Sequence, residues 1–444
     1  MQDASTPDSE SKQPLDRLPF TPPFFYGWVI VACAIVNQFL GSGTSNVVLS
    51  VLLKPIEDET GWTRTMIAAS VSVGALGSGL LSPFAGRLAD RFGGRVLMSA
   101  GGAICGSLYI AVAHATAFPL FILGHAANRA IASATMSGVV SQATVTKWFD
   151  ARRPRVLGMV GTAGALGASA MGIAAQTLMV QIGWRGVMTI NGLLTLALVV
   201  LPCAIFIRRR PEDVGLLPDG ATTAERPPVQ TQGRQLRRGT EYPWTLSQAL
   251  HTRSYWLVIC SSAMAMFGVT GISTNQIAYF TDQGIDPAVA ASALAVYTFS
   301  SAIASLIWGF LTERFEERSI SVLGFLLGAG CVAFLTTVDS GVKAYVFVAI
   351  FGLCARGQMT LVTIVFAQYY GRQHFGAIYG LAAMFQTLAS AIGPVAAALT
   401  FDMTGSYLGA FRLLVGLFLV AAFVMFLAKK PTPPPALRNT LSSS

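Results

Sequence analysis

The chain has 444 residues, of which 53% are hydrophobic and only 11% charged, against roughly 25% charged in an ordinary soluble domain. Its formal charge of +9 is scattered through short connections between long apolar runs, so neither a soluble enzyme nor a nucleic-acid-binding surface fits. The runs are continuous and about 20 residues long, twice the length of the alternating segments of a β-barrel, which predicts an all-α integral membrane protein.

In chain order, residues 1–23 are polar, carry both charge signs and lack the apolar core of a cleaved signal, and are expected to be a cytoplasmic tail. Apolar runs then begin near Phe24, Thr65, Val96, Phe118, Val156 and Val187, and again near Tyr255, Val289, Ser319, Ala344, Phe375 and Phe411. Twelve crossings in two six-helix bundles are expected, at 24–207 and 255–428. A polar cytoplasmic linker at 208–254 would separate them, and a cytoplasmic tail at 429–444 would follow.

Span 1 opens on Tyr26-Gly27-Trp28 and carries Asn37 and Gln38. Span 2 ends in Gly86-Arg-Leu-Ala-Asp90-Arg91-Phe92-Gly-Gly-Arg95. Asp90 among Arg87, Arg91 and Arg95 is expected to pair with a guanidinium at the seam between the bundles and to hold the cytoplasmic side closed. Span 4 contains His125, Asn128, Arg129 and Ser133, and is followed by Lys147-Trp148-Phe149 and Arg152-Arg153. Span 5 carries Gly158, Gly161, Gly164, Gly167 and Gly172, a spacing that permits close helix approach. After span 6 comes Arg210-Pro-Glu-Asp-Val-Gly215-Leu-Leu-Pro-Asp-Gly220, which begins the linker.

In the second half, span 7 carries Asn275 and Gln276, span 8 carries Tyr297, span 10 Arg356 with Thr360 and Thr363, and span 11 Gln386 and Pro394. Span 8 ends in Gly309-Phe-Leu-Thr-Glu313-Arg314-Phe315-Glu-Glu-Arg318, which repeats the segment after span 2 at an offset of 223 (309 minus 86). Glu313 and Arg314 are therefore expected as second-half members of the gate. Parallel repeats related by an axis along the membrane normal follow. The six cysteines sit singly inside apolar runs, without metal-ligand spacing, and read as packing residues.

Lys and Arg fix the expected orientation. With the N-terminus inside, five lie near outer ends (Lys54, Arg64, Arg185, Lys343, Arg412) and two inside spans, which leaves 23 of the 30 on the cytoplasmic side. The two inside spans, Arg129 and Arg356, fall near the midplane, where each costs about 2.5–3.5 kcal/mol unless it faces a polar cavity. No Asp or Glu occupies the middle of a span. The cavity should be electropositive, and two guanidinium forks suit a small carboxylate. His125, one turn from Arg129, is a candidate proton carrier that this cation disfavours. Asn128, Asn37, Gln38, Asn275, Gln276, Tyr297 and Gln386 are candidate cavity lining, each equally readable as an interhelical hydrogen-bond partner.

The segment Gly86 to Arg95 and its second-half copy resemble the cytoplasmic loop signature of the major facilitator superfamily. The Tyr26-Gly27-Trp28, Lys147-Trp148-Phe149 and Arg210 to Gly220 stretches resemble its monocarboxylate and oxalate/formate branch. The resemblance implies alternating access by rocking of two halves about a central site. That branch typically has an Arg three residues before the Trp-Gly pair of span 8, where this chain has Ser305 before Trp308-Gly309, and often a Lys in span 11, where it has Gln386. The branch's anion contacts therefore do not carry over.

A secondary transporter of small organic anions, mono- or dicarboxylates, is expected, as symporter or anion exchanger. Its expected partners are the substrate and the bilayer of the cytoplasmic membrane, with a coupled proton left open. A monomer without cofactor is expected. A drug/proton antiporter shares the architecture but normally needs a cavity acid. No P-loop, His-Glu-x-x-His or nucleophile motif supports an enzyme.

Overall fold

The computed structural model describes residue 19 and residues 22–44, 46–220, 242–404 and 406–432; a few side chains inside helices, that of Arg356 among them, lie outside the described set. The first half comprises α1 (Gly27–Gly41), α2 (Asn46–Thr60), α3 (Arg64–Phe92), α4 (Gly94–Ala113), α5 (Phe118–Thr135), α6 (Val139–Trp148), α7 (Arg153–Thr195) and α8 (Leu201–Phe206). After the short α9 (Leu246–Leu250) come α10 (Arg253–Asp282), α11 (Pro287–Arg314), α12 (Glu317–Leu335), α13 (Gly341–Tyr370), α14 (Phe375–Thr404) and α15 (Leu408–Leu427).

Nine described helices are long and apolar enough to cross a membrane. One of them, Arg153–Phe206, has 54 residues and is two spans. The chain reverses at Gly183, whose φ of 68° a side chain would strain, separating span 5 from span 6. Span 6 continues through a π-turn at Leu196–Val200 into α8, where Pro202 supplies no N–H for a regular turn. With α1 and α5 added, the count is twelve.

Two spans are interrupted near their middles. Span 1 breaks at the 3₁₀ turn Ser42–Thr44, where the Ser42 hydroxyl sits 2.9 Å from Gln38 O and 3.0 Å from Gly164 O. Span 4 breaks between α5 and α6, and Asn37 Nδ2 donates to the freed Met136 carbonyl at 2.9 Å. Backbone polar groups at membrane depth are tolerated only where protein satisfies them in this way. Large apolar side chains such as Leu123, Ile173, Val180, Leu413 and Phe423 remain exposed on the outer faces. Such a girdle would be an aggregation surface in water and is a lipid-facing one here.

Away from the linker, Arg185 and Trp184 beyond the Gly183 turn reach the polar end of α2. Glu59 accepts from Trp184 Nε1 at 2.6 Å and from Arg185 Nε at 2.8 Å, while Arg185 Nη1 donates to Ala113 O at 2.6 Å. The hydrogen bond from Arg185 is the main cause holding the Glu59 carboxyl below the usual carboxylate range. A carboxyl depressed in the folded state stabilises it above the unfolded pKa, and that contribution is lost as pH falls through the folded one. The melting temperature is accordingly expected to fall on acidification below about pH 4.5 less steeply in Glu59→Gln than in the parent, which a thermal scan across pH checks. Equal slopes would show that this clasp is not titrating.

The halves meet chiefly along two helix pairs, α3 with α14 and α7 with α11. Close approaches in both pairs lie in the half of each span nearest the linker. A Cβ on Gly86 would strike Gly376 O, and one on Gly380 would strike Ser82 O. In the other pair, a Cβ on Gly309 would strike Pro154 O, and one on Gly158 would strike Ser305 O. Gly86 and Gly309, like Ser82 and Ser305, are 223 residues apart. The sequence repeat is thus a repeat of the interface, and the linker end is closed.

Candidate functional site

Asp90, in the last turn of α3, is 8% exposed. Its Oδ1 lies 3.0 Å from Lys147 Nζ, and its carboxylate accepts from the backbone N–H groups of Gly376 (3.3 Å) and Ala377 (2.7 Å). These two N–H groups belong to the first turn of α14, where no intrahelical acceptor exists and the helix dipole favours an anion. Asp90 therefore reaches across to the second half through the backbone amides of α14 rather than through a guanidinium, and its cation, Lys147 of α6, belongs to its own half. Arg87 and Arg91 fall on the exposed flank of α3, with Arg91 lying over the Phe92 ring at 5.3 Å. Arg95 Nε donates to Ala204 O at 2.7 Å, within the first half. Lys147 comes from α6, whose side of the bundle faces the buried carboxylate, and it also donates to Ala89 O at 3.2 Å.

The equivalent corner of the second half carries Glu313, which sits 2.6 Å from Arg155 Nη2 of α7. Arg155 in turn covers the Phe310 ring at 4.8 Å. Arg314 is exposed beside it. Buried Arg153 spans the same seam, donating from Nη1 to Ala367 O at 2.8 Å. Arg372 crosses in the opposite direction, donating to Lys147 O at 3.0 Å and to Glu212 at 2.7 Å. Lys147, Arg153, Arg155 and Arg372 were not among the expected gate residues. Their basic character in short connections is the signal the sequence carries, and it serves orientation and closure at once.

At midspan, Arg129 is half-buried, with its Cβ and Cδ laid over Gly74 of α3. One turn away His125 points into the first bundle. Its Nδ1 is 3.0 Å from Ser70 Oγ, its ring stacks on Phe121 at 5.8 Å, and it lines a small cavity with Tyr109, Asn191 and Gly43. Asn128 turns to α4 instead, donating to Cys105 O at 2.8 Å. Asn37 is committed to Met136 O. Both act as ties between elements of the first bundle through their amide nitrogens, and the Oδ1 of each has no hydrogen-bond partner among the described residues.

Gln38 packs against Gly164, and Phe39 against Gly167, so the outer part of the span 5 glycine run receives span 1. Its inner part receives the second half. Gly158 and Gly161 meet Ser305, whose Oγ lies 3.3 Å from Thr360 Oγ1. In the second bundle Asn275 donates to Gly271 O at 2.9 Å and reaches Pro394 O at 3.4 Å. Gln276 is 1% exposed, and neither side-chain polar atom has a hydrogen-bond partner among the described residues. Tyr297 stacks on Phe351 at 5.8 Å. Gln386 Nε2 reaches Ser262 Oγ at 3.4 Å, and both line a second small cavity with Gln358 and Met266. The Arg356 side chain lies outside the described residues. Gln38, Ser305 and Thr360 thus meet along the span 5 glycine run, and Arg129 lies on Gly74 of α3, whereas Asn37, Asn128 and Gln386 serve the interiors of their own bundles.

Two apolar bundles joined by a polar seam at one end, with cationic and amide side chains held at membrane depth, define a multi-pass membrane transporter rather than an enzyme. The profile of the Major Facilitator Superfamily matches residues 31–279 and 258–443, and the chain belongs to that family. It is 22% identical over 390 residues to the uncharacterized MFS-type transporter YcxA of Bacillus subtilis, covering 85% of this chain and 90% of that one. It is 23% identical over 414 residues to human monocarboxylate transporter 11, covering 90% and 82%. Among solved structures it resembles the human organic anion transporter MFSD10, with a TM-score of 0.70 and 16% identity over 91% of this chain and 100% of that one. It also resembles the Escherichia coli fucose:proton symporter FucP, with a TM-score of 0.70 and 13% identity over 92% and 100%. At these identities the two structures speak for the fold.

Proposed function

We infer that the protein moves small organic anions, mono- or dicarboxylates, across the cytoplasmic membrane by alternating access, with the linker and both tails inside. The observation that carries this reading is Arg129, a guanidinium at membrane depth in a chain with no midspan carboxylate. A cationic site of this kind favours a bound carboxylate over a cationic drug. The monocarboxylate transporters among its relatives agree with it. The closed linker end is the arrangement that alternating access requires while the site is shut off from the inside. Gly86, Gly158, Gly309 and Gly376 are the surfaces that part on inward opening, and the bonds that break are those of Asp90 to the Gly376 and Ala377 amides and of Glu313 to Arg155, while Lys147 stays with Asp90 in the first half. Exchange of one anion for another requires no titrating side chain, whereas proton symport would draw on His125 or on the substrate's own carboxyl group.

Counterflow in liposomes tests the reading directly. Vesicles preloaded with unlabelled lactate, oxalate, succinate or an aromatic carboxylate are expected to accumulate the labelled counterpart of at least one of them, and a lipophilic cation is expected not to accumulate. Accumulation of the cation alone would overturn the anion assignment.

A further inference from the structure

The first part of the linker is not a loose tether. Tyr26 donates its hydroxyl to Phe206 O at 2.8 Å, Trp148 Nε1 donates to Arg208 O at 3.2 Å, and Arg209 Nη2 donates to Asp90 O at 2.8 Å. Val214 and Leu216 then pack on the cluster formed by Tyr26, Trp148 and Phe149. At the far end Asp219, in the left-handed region with φ 59°, turns its carboxylate onto the backbone N–H groups that precede α7. Those of Asp150 and Ala151 donate to Oδ2 at 3.0 and 2.7 Å, and that of Arg152 to Oδ1 at 3.4 Å. Held at both ends to the first half, the segment presents Glu212 to Arg372 of the second half at 2.7 Å.

Resting on the alternating-access reading, we propose that residues 208–220 form a strap of the first half whose Glu212 latches Arg372 only while the linker end is closed. Arg372 sits between the strap and the Lys147 carbonyl, and Lys147 is the partner of Asp90. The latch therefore backs the buried bridge. Asp219 is a positioning residue, since it fixes where Glu212 stands without touching the second half. An Arg-Pro-Glu-Asp-x-Gly run suits the task. Pro211 and Gly215, φ 74°, make the tight turn that exposes Glu212.

Spin labels on Asp213 and Gln373, in the full-length protein in nanodiscs, report separation of strap and second half. Because the latch pair is partly exposed, Glu212→Gln is expected to raise the separated population about twofold to fivefold at low salt. The difference should vanish in about 1 M salt, where the Debye length is about 3 Å. Exchanging the charges, Glu212→Arg with Arg372→Glu, should bring the distribution closer to the parent than Arg372→Glu alone does, short of full recovery because a carboxylate at 372 cannot donate to Lys147 O. Asp219→Ala should match Glu212→Gln with the latch pair intact, and Asp219→Asn, which keeps one acceptor oxygen and tolerates the left-handed backbone, should fall between. An unchanged distribution in Glu212→Gln, while Lys147→Met still opens the linker end, would overturn the latch and leave alternating access standing. If no variant separates the labels and liposomes show no flux, both readings fall.

Discussion

Replacing Lys147 by methionine is expected to shift the protein toward an open linker end by about two to three orders of magnitude. The pair it makes with Asp90 is nearly dry, with side-chain exposures of 4% and 8%. Removing one member of such a pair costs about 3–5 kcal/mol, because the surviving charge is left buried and uncompensated. Opening relieves that cost by admitting water to Asp90, so the penalty falls on the closed state. Asp90→Asn strands Lys147 instead and should act in the same direction. The double variant, with neither charge left, should lie closer to the parent than either single one, and the difference measures the coupling. Spin labels on exposed Phe92 and Phe315 give the populations directly. If Lys147→Met leaves them unchanged, the buried bridge does not govern closure.

Substitution of Arg129 should produce the largest change in transport. Hydrogen bonds to charged groups contribute about 1.5–3 kcal/mol each, and a guanidinium makes two to a carboxylate. Arg129→Gln is expected to lower uptake of an identified carboxylate at subsaturating concentration by about 100-fold or more. Arg129→Lys retains the charge but not the fork, and a loss of about tenfold is expected. A third variant disturbs the same contact from the side of α3. Gly74 receives the Arg129 side chain directly, and any Cβ there would collide with it. Gly74→Val should therefore displace the guanidinium and weaken uptake with Arg129 still present. Unaltered uptake in Arg129→Gln would give the residue a structural role in packing α5 on α3.

The twelve spans were legible because continuous apolar length is a local property of the chain, and the interface repeat because it is written twice at one offset. The broken spans were not. Span 1 stays apolar across its interruption, and Ser42, Gly43 and Thr44 were the turn signal that went unused. The partner of Asp90 was misassigned for a general reason. Arg87, Arg91 and Arg95 are near in sequence, but the helix turns the first two outward, while Lys147 arrives from another helix. Periodicity likewise cannot tell a polar side chain that waits for a ligand from one that meets a carbonyl. Asn37 and Asn128 found Met136 O and Cys105 O, while Gln276 found no hydrogen-bond partner among the described residues.

The two seams share a register but not a chemistry. Asp90 is shut away from water and holds backbone amides, whereas Arg155 is 35% exposed where it meets Glu313. Ions in solution can compete for the second bond and scarcely reach the first. Each seam nonetheless joins a wet bond to a dry one. As ionic strength rises, Arg155 with Glu313 and Arg372 with Glu212 should loosen first, while Asp90 on the α14 amides and buried Arg153 on Ala367 O still hold, so that the linker end first softens at its rim and parts only when these two dry points let go.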